Sequence, residues 1–313
     1  MDAHVPDSSS ALNETESDIT TPGEGQWDGS MEVISLDGQE LEIGPAIDQP
    51  LVTFLWPLAG KVDVANRYLS AVLVQVRFST DEGQFCSGTI VGRRLVLTAG
   101  HCVCQRQQGS SSLHGIQSII DGSACATTAA ISTTLYGSVE KTKEKVLWHR
   151  TQYQGVVHPH PDLRILLDTQ GHVVSSRADL AVIVLEEPFD KEFRPMPIAD
   201  EDVHLNESVI IVGSGYDETA RAYDGERRFS VNKVIEVLPS GGGRMRIQQP
   251  GEHHYRGDSG GPCLRESPAG TALVGISSRN LGEGEAMTST YGYRDWLRGE
   301  LQRTDGKRLI RPK

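Results

Sequence analysis

From about residue 65 onward the chain runs as short apolar stretches separated by glycine-rich turns: YLSAVLVQVRF, GTIVGRRLVLTAG, DLAVIVL, ESVIIVGSG, RRFSVNKVIEVL, RMRIQQ and TALVGISS. β-Branched residues dominate these runs, either alternating with polar ones or standing together, as in strands buried on one or both faces. No helical period lies between them, so βαβ units are excluded and an all-β sandwich or barrel is predicted. One segment breaks the pattern. In 290–303, TYGYRDWLRGELQR, the residues Tyr293, Trp296, Leu297 and Leu301 recur at helical spacing and predict a terminal amphipathic helix.

The length of 313 residues leaves room for one domain of about 200–250 residues and an extension. Charge locates the extension. Residues 1–60 hold twelve Asp and Glu and no Lys or Arg, which leaves thirty acidic against thirty basic side chains in the rest and accounts for the net charge of −12. An acidic tail of this kind argues against nucleic acid as a partner. No apolar run approaches the roughly 20 residues of a membrane-spanning helix. Residues 1–30 carry too few large apolar side chains to offset the entropy of ordering and are predicted to be disordered. Residues 32–44 suit a small hairpin about Asp37-Gly38, and the run LVTFLWPLAG at 51–60 is predicted to pack on the main domain or to form a pro-segment contact. The expected organisation is an acidic extension or pro-segment at 1–60, a folded domain at 61–303 and a basic tail at 304–313. Residues 103–150, rich in Ser, Gln, Thr and Gly, read as a long surface insertion. His158, His160 and His172, read with this insertion, lack the partners of a metal site and are expected to be solvated.

Three segments carry the parts that peptide hydrolysis needs: an activated nucleophile, a base and donors for an oxyanion. Gly257-Asp258-Ser259-Gly260-Gly261-Pro262 sets a serine among glycines, where a tight turn can aim amide N–H groups at one oxygen. Leu97-Thr98-Ala99-Gly100-His101-Cys102 ends a strand on a histidine. Asp179-Leu180-Ala181-Val182-Ile183-Val184-Leu185 opens a strand with a carboxylate ahead of an apolar run.

Together, in the order His, Asp, Ser, these segments resemble the chymotrypsin/trypsin family motifs TAxHC, DxAL and GDSGGP. The resemblance spans about 62–303. It implies two six-stranded antiparallel β-barrels, about 61–195 and 205–290, with the catalytic groups in the cleft between them. It also implies Ser259 as nucleophile, His101 as general base and then acid, and Asp179 as the group that fixes the imidazole tautomer. Gly257 and Ser259 would supply the oxyanion-hole N–H groups, and Ser278 the hydroxyl that supports the aspartate. The family bridges the positions of Cys86 and Cys102, a closure worth roughly 3 kcal/mol in the chain-entropy model. Cys104 and Cys125 could staple the insertion, which leaves Cys263 as a free thiol in the core.

The chain also departs from the family. Cysteines customary four residues before and six after the nucleophile are replaced by Tyr255 and Arg265. The residue six before the nucleophile, an aspartate in trypsin-like enzymes, is His253, so a preference for Lys or Arg does not follow. With His254, Arg256, Ser278, Arg279 and Asn280 nearby, the pocket would offer donors to an acidic side chain; if these side chains turn to solvent, it would take a medium apolar residue. No Ile-Val-Gly-Gly is present. The nearest substitute is Lys61-Val62-Asp63-Val64, where a cut after Lys61 would free Val62 to pair with Asp258; otherwise the enzyme is active intact.

The reaction requires no cofactor and no metal, its partner is a protein or peptide substrate, and a monomer is expected. The competing reading is a catalytically silent homologue that serves as a binding module. An α/β-hydrolase esterase is disfavoured because it orders its triad Ser, Asp, His. The cysteine pair favours an oxidising, extracytoplasmic space, while the opening residues MDAHVPDSSS lack the pattern of a secretory signal.

Overall fold

The computed structural model describes residues 51–54, 61–79, 82–108, 116–140, 145–215, 226–238, 243–248, 258–278 and 285–306. The hairpin expected at 32–44 and most of the acidic extension lie outside these residues.

Two antiparallel sheets each close on themselves. The first barrel is built from β3 (Ala71–Arg77), β4 (Gly83–Gly92), β5 (Leu95–Thr98), β8 (Thr128–Glu140), β9 (Lys145–Pro159) and β12 (Ala181–Leu185). They run in the order β9-β12-β5-β4-β3-β8, with β8 paired back to β9. The second barrel contains β13 (Ser208–Gly213), β14 (Arg228–Leu238), β15 (Arg244–Gln248), β16 (Pro262–Ser267), β17 (Gly270–Ser277) and β18 (Glu285–Ser289). Their order is β13-β16-β17-β18-β15-β14, closed by β13 on β14. Closure removes the unpaired edges that an open sheet would expose. Two short strands are added at the margins: β1 (Leu51–Phe54) on β9 and β2 (Lys61–Val62) on β14. The expected all-β fold with two six-stranded barrels and a C-terminal helix, α1 (Arg294–Gly306), is thus the fold observed.

Alternation along β13 shows how the barrels are joined. Val209 and Ile211 enter the smaller core with Val234, Met245, Ile247 and Met287, inside the second barrel. Ile210 and Val212 turn the other way, into the large core that also takes Leu95, Leu97, Ile183 and, from α1, Leu297. A strand whose two faces are both covered must be apolar at consecutive positions, as VIIV is. Each such side chain, fully buried, contributes roughly 1.5–3 kcal/mol.

The segment 103–150 is only partly an insertion. Its second half forms the long barrel hairpin β8–β9, in which Ser132, Thr133 and Thr134 are buried despite their polar side chains. The remainder joins a third, four-stranded sheet of β6 (Gln107–Gln108), β7 (Ile116–Asp121), β10 (Arg164–Asp168) and β11 (Val173–Arg177), in the order β11-β10-β7-β6. A disulfide between Cys104 and Cys125 ties the root of this sheet to the barrel.

A buried ion pair holds the chain where it passes from β2 to the first barrel. Arg227 Nε donates to Asp63 Oδ2 at 2.8 Å, and both side chains are almost wholly excluded from solvent. Asp63 also accepts from the Arg67 and Tyr68 N–H groups, while Arg227 reaches the Thr134 carbonyl of β8 at 2.7 Å.

Candidate active site

β5 and β12 pair antiparallel with Thr98 opposite Ala181, so the chain leaves β5 at the barrel end where it enters β12. His101, three residues past Thr98, therefore meets Asp179, two residues before Ala181. A 3-10 turn, Gly100–Cys102, carries the histidine, and the Cys86–Cys102 disulfide fastens that turn to β4.

Asp179 is 1% exposed and its carboxylate accepts three hydrogen bonds. Oδ1 accepts from the His101 backbone N–H at 2.8 Å; Oδ2 accepts from His101 Nδ1 at 2.7 Å and from the Ser278 hydroxyl at 2.5 Å. Burial alone would push this carboxyl up. The His101 ring, the Ser278 hydroxyl and the His101 backbone N–H outweigh it and hold Asp179 well below the usual carboxylate range. An ionised Asp179 fixes the imidazole proton on Nδ1, which leaves Nε2 as a proton acceptor. The buried Ser278 hydroxyl is committed to this carboxylate.

Ser259 lies on the loop that precedes β16, and that loop is fastened to both barrels. Its carbonyl accepts from Ser87 N–H of β4 at 2.8 Å, and the Gly260 N–H donates to Ser277 O at 2.8 Å. Cys102 Sγ sits 3.5 Å from the Ser259 carbonyl oxygen and 3.9 Å from His101 Nε2, so the serine loop and the histidine turn share one corner. Gly260 makes this approach possible. Its φ is +83°, and a Cβ there would fall 2.2 Å from Thr98 Oγ1 and 2.3 Å from Ser87 O. Asp258 folds beneath the loop, where Gly215 N–H donates to Oδ1 at 2.8 Å; a Cβ on Gly213 would collide with that carboxylate.

His101, Asp179, Ser278, Ser259 and Asp258 are thus brought together, with Cys86 and Cys102 bonded. Gly257, His253, His254, Arg256, Arg279 and Asn280 lie outside the described residues. Asp179-Leu180-Ala181-Val182 keeps the carboxylate of the DxAL pattern, with valine in place of its leucine. Where the family carries a cysteine, Arg265 instead forms a two-pronged pair with Glu207, Nε–Oε1 2.5 Å and Nη2–Oε2 2.9 Å. Among the described residues no three His, Cys, Asp or Glu side chains are grouped to hold a metal, and no helix is long and apolar enough to cross a membrane. His158 and His172 are exposed, but His160 is buried: its ring packs on Tyr293 and Trp296, with centroids 5.2 and 4.6 Å away, and its Nδ1 accepts from Asp162 N–H. Burial lowers its pKa. The expectation that it is solvated, drawn from the lack of metal-site partners, missed the helix that covers it.

Two closed barrels with a buried aspartate–histidine pair at their junction define the scaffold of a chymotrypsin-type serine protease. Residues 61–297 match the family model Trypsin, and the chain belongs to that family. It is 24% identical over 272 residues to phenoloxidase-activating factor 1 of Holotrichia diomphalia, covering 78% of this chain and 70% of the relative. It is likewise 24% identical over 235 residues to trypsin 5G1 of Aedes aegypti, covering 68% and 74%. Among solved structures it resembles one titled "Structure of GrC", with TM-score 0.56 and 13% identity, and neuropsin, a serine protease expressed in the limbic system of mouse brain, with TM-score 0.51 and 17% identity. Each alignment covers 78% of this chain and 99% of the other.

Proposed function

We propose that this protein is a serine endopeptidase in which Ser259 is the nucleophile, His101 the general base and Asp179 its orienting carboxylate. The observation that carries the reading is the buried Asp179–His101 hydrogen bond, backed by Ser278 and set beside the Ser259 loop. Ser259 Oγ attacks the peptide carbonyl carbon while its proton passes to His101 Nε2. The carbonyl oxygen becomes an oxyanion facing the N–H groups of Gly257 and Ser259. His101 then returns the proton to the leaving amine as the C–N bond breaks, and the Ser259 ester that remains is hydrolysed by water activated in the same way. A fluorophosphonate probe should label the wild-type protein and not Ser259→Ala. A wild-type protein that stays unlabelled and cleaves no peptide would favour the silent binding module.

The primary specificity we assign is not Lys or Arg. His253 stands where trypsin-like enzymes carry an aspartate, and His254, Arg256, Arg279 and Asn280 would complete a pocket for Glu or Asp. A peptide library cleaved mainly after Lys, Arg or Leu would rule this out. The two disulfides, Cys86–Cys102 and Cys104–Cys125, favour an extracytoplasmic setting.

Activity in the intact chain is the reading we favour over a cut after Lys61. Val62 pairs with Arg228, and Arg228 pairs with Gly213, the residue against which Asp258 rests. Two strand spacings, roughly 10 Å, therefore separate Val62 from that site. Asp63, the next residue, is locked on Arg227, and one residue of slack spans only about 3.5 Å. N-terminal sequencing of the active species tests this. A sequence that begins at Val62 would overturn it.

A further inference from the structure

Ala178 is the residue that the serine peptidase mechanism leaves unexplained. It stands immediately before Asp179, is buried, and has φ +48°, a left-handed conformation that residues with a Cβ disfavour. Its carbonyl accepts from Leu180 N–H at 2.7 Å, so the chain folds tightly about Asp179. Its N–H donates to the Tyr293 hydroxyl at 2.8 Å, across 115 residues of sequence.

Tyr293 is itself held on several sides. It ends the 3-10 turn Tyr291–Tyr293 that leads into α1, and its ring meets the edge of buried His160. The His160 N–H donates to Leu180 O at 2.9 Å, on the far side of Asp179. Burial raises the Tyr293 phenol, against the Ala178 N–H and the nearby charges of Arg177 and Arg244, while Asp162 adds to the rise. The phenol therefore stays a neutral acceptor for the Ala178 N–H.

From these contacts we infer that Tyr293 is a positioning residue for catalysis: its hydroxyl holds Ala178 in the left-handed turn that aims the Asp179 carboxylate at His101. Without that hydroxyl the buried N–H loses its acceptor and the disfavoured φ loses its support. The tight turn then relaxes, and the carboxylate withdraws from Nδ1. The role rests on the serine peptidase reading above.

The test compares Tyr293→Phe with Trp296→Phe, which removes packing on His160 without touching Ala178. Tyr293→Phe should lower kcat by about tenfold, the rate equivalent of roughly 1.4 kcal/mol, with KM little changed. The acid limb of its pH–rate profile should move to lower pH, because an imidazolium less well supported by Asp179 forms less readily. Trp296→Phe should lower the thermal midpoint while kcat and the acid limb stay in place. Equal kinetic changes in both variants, or a Tyr293→Phe enzyme with wild-type kcat and pH profile, would overturn the role. Should Tyr293→Phe fail to fold, Tyr293→Phe with Ala178→Gly removes the backbone strain and keeps the hydrogen bond absent. Proton NMR of the low-field Asp179–His101 resonance reads the positioning without any substrate. A resonance unchanged by Tyr293→Phe refutes this role even if the protein hydrolyses nothing, whereas failed fluorophosphonate labelling of wild type refutes only the peptidase reading.

Discussion

Asp179 and Asp63 are both carboxylates at about 1% exposure, and they are used in opposite ways. Asp63 faces Arg227, a guanidinium that keeps its charge throughout the accessible pH range, together with two backbone N–H groups. Asp179 faces an imidazole, a serine hydroxyl and one backbone N–H. A partner that never gives up its proton makes a fixed clamp. A partner that can take a second proton at Nε2 makes a device for moving protons. The same buried charge therefore serves architecture at Asp63 and, in the proposed mechanism, chemistry at Asp179, and what distinguishes them is the acidity of the partner.

Four experiments test that contrast. The largest effect is expected from Asp179→Asn, which should reduce kcat on a peptide substrate by about 10⁴ because the amide stabilises the wrong imidazole tautomer. Its stability in urea should change far less than its activity. Arg227→Met should do the reverse. Leaving Asp63 buried and unpaired should cost about 3–5 kcal/mol in equilibrium unfolding, while the folded fraction keeps its kcat. A loss below about 1 kcal/mol would mean that water reaches Asp63 and that the clamp is not closed. Ser278→Ala removes one hydrogen bond to a charged group and should cost about 1.5–3 kcal/mol, divided between stability and kcat. The smallest effect concerns pH. Because Asp179 is held below its ordinary value in the folded state, its stabilisation is complete above the unfolded pKa of about 3.9 and is lost as pH falls through the folded value. Urea midpoints should thus fall more steeply with acid in wild type than in Asp179→Asn, and parallel curves would contradict the ionised, stabilised carboxylate.

The barrel strands were legible because β-branched runs such as AVIVL and SVIIVG are local signals of two-sided burial. The polar strand β8 was not. Its sequence TAAISTTLYGSVE has the composition of a loop, and only pairing with β3 and β9 makes a strand of it. His101, Asp179 and Ser259 were legible through the motifs around them, and the structure brings their three segments to one corner. Tyr293 was visible only as one face of a helix. Ala178 gave no hint of a left-handed turn, since it is neither glycine nor asparagine. Arg265 was read as a missing cysteine, and its pair with Glu207 emerged only when the second barrel closed.

By itself the sequence determined the all-β class and the terminal helix and singled out the three residues proposed to react, since strand period, helical period and short motifs are all written over a few consecutive residues. Only the tertiary structure decided that Asp63 meets Arg227 and that Ala178 meets Tyr293. Asp63 and Arg227 stand 164 positions apart, and Ala178 and Tyr293 stand 115 apart. Such pairs leave no local pattern, because it is barrel closure that brings them within reach of one hydrogen bond.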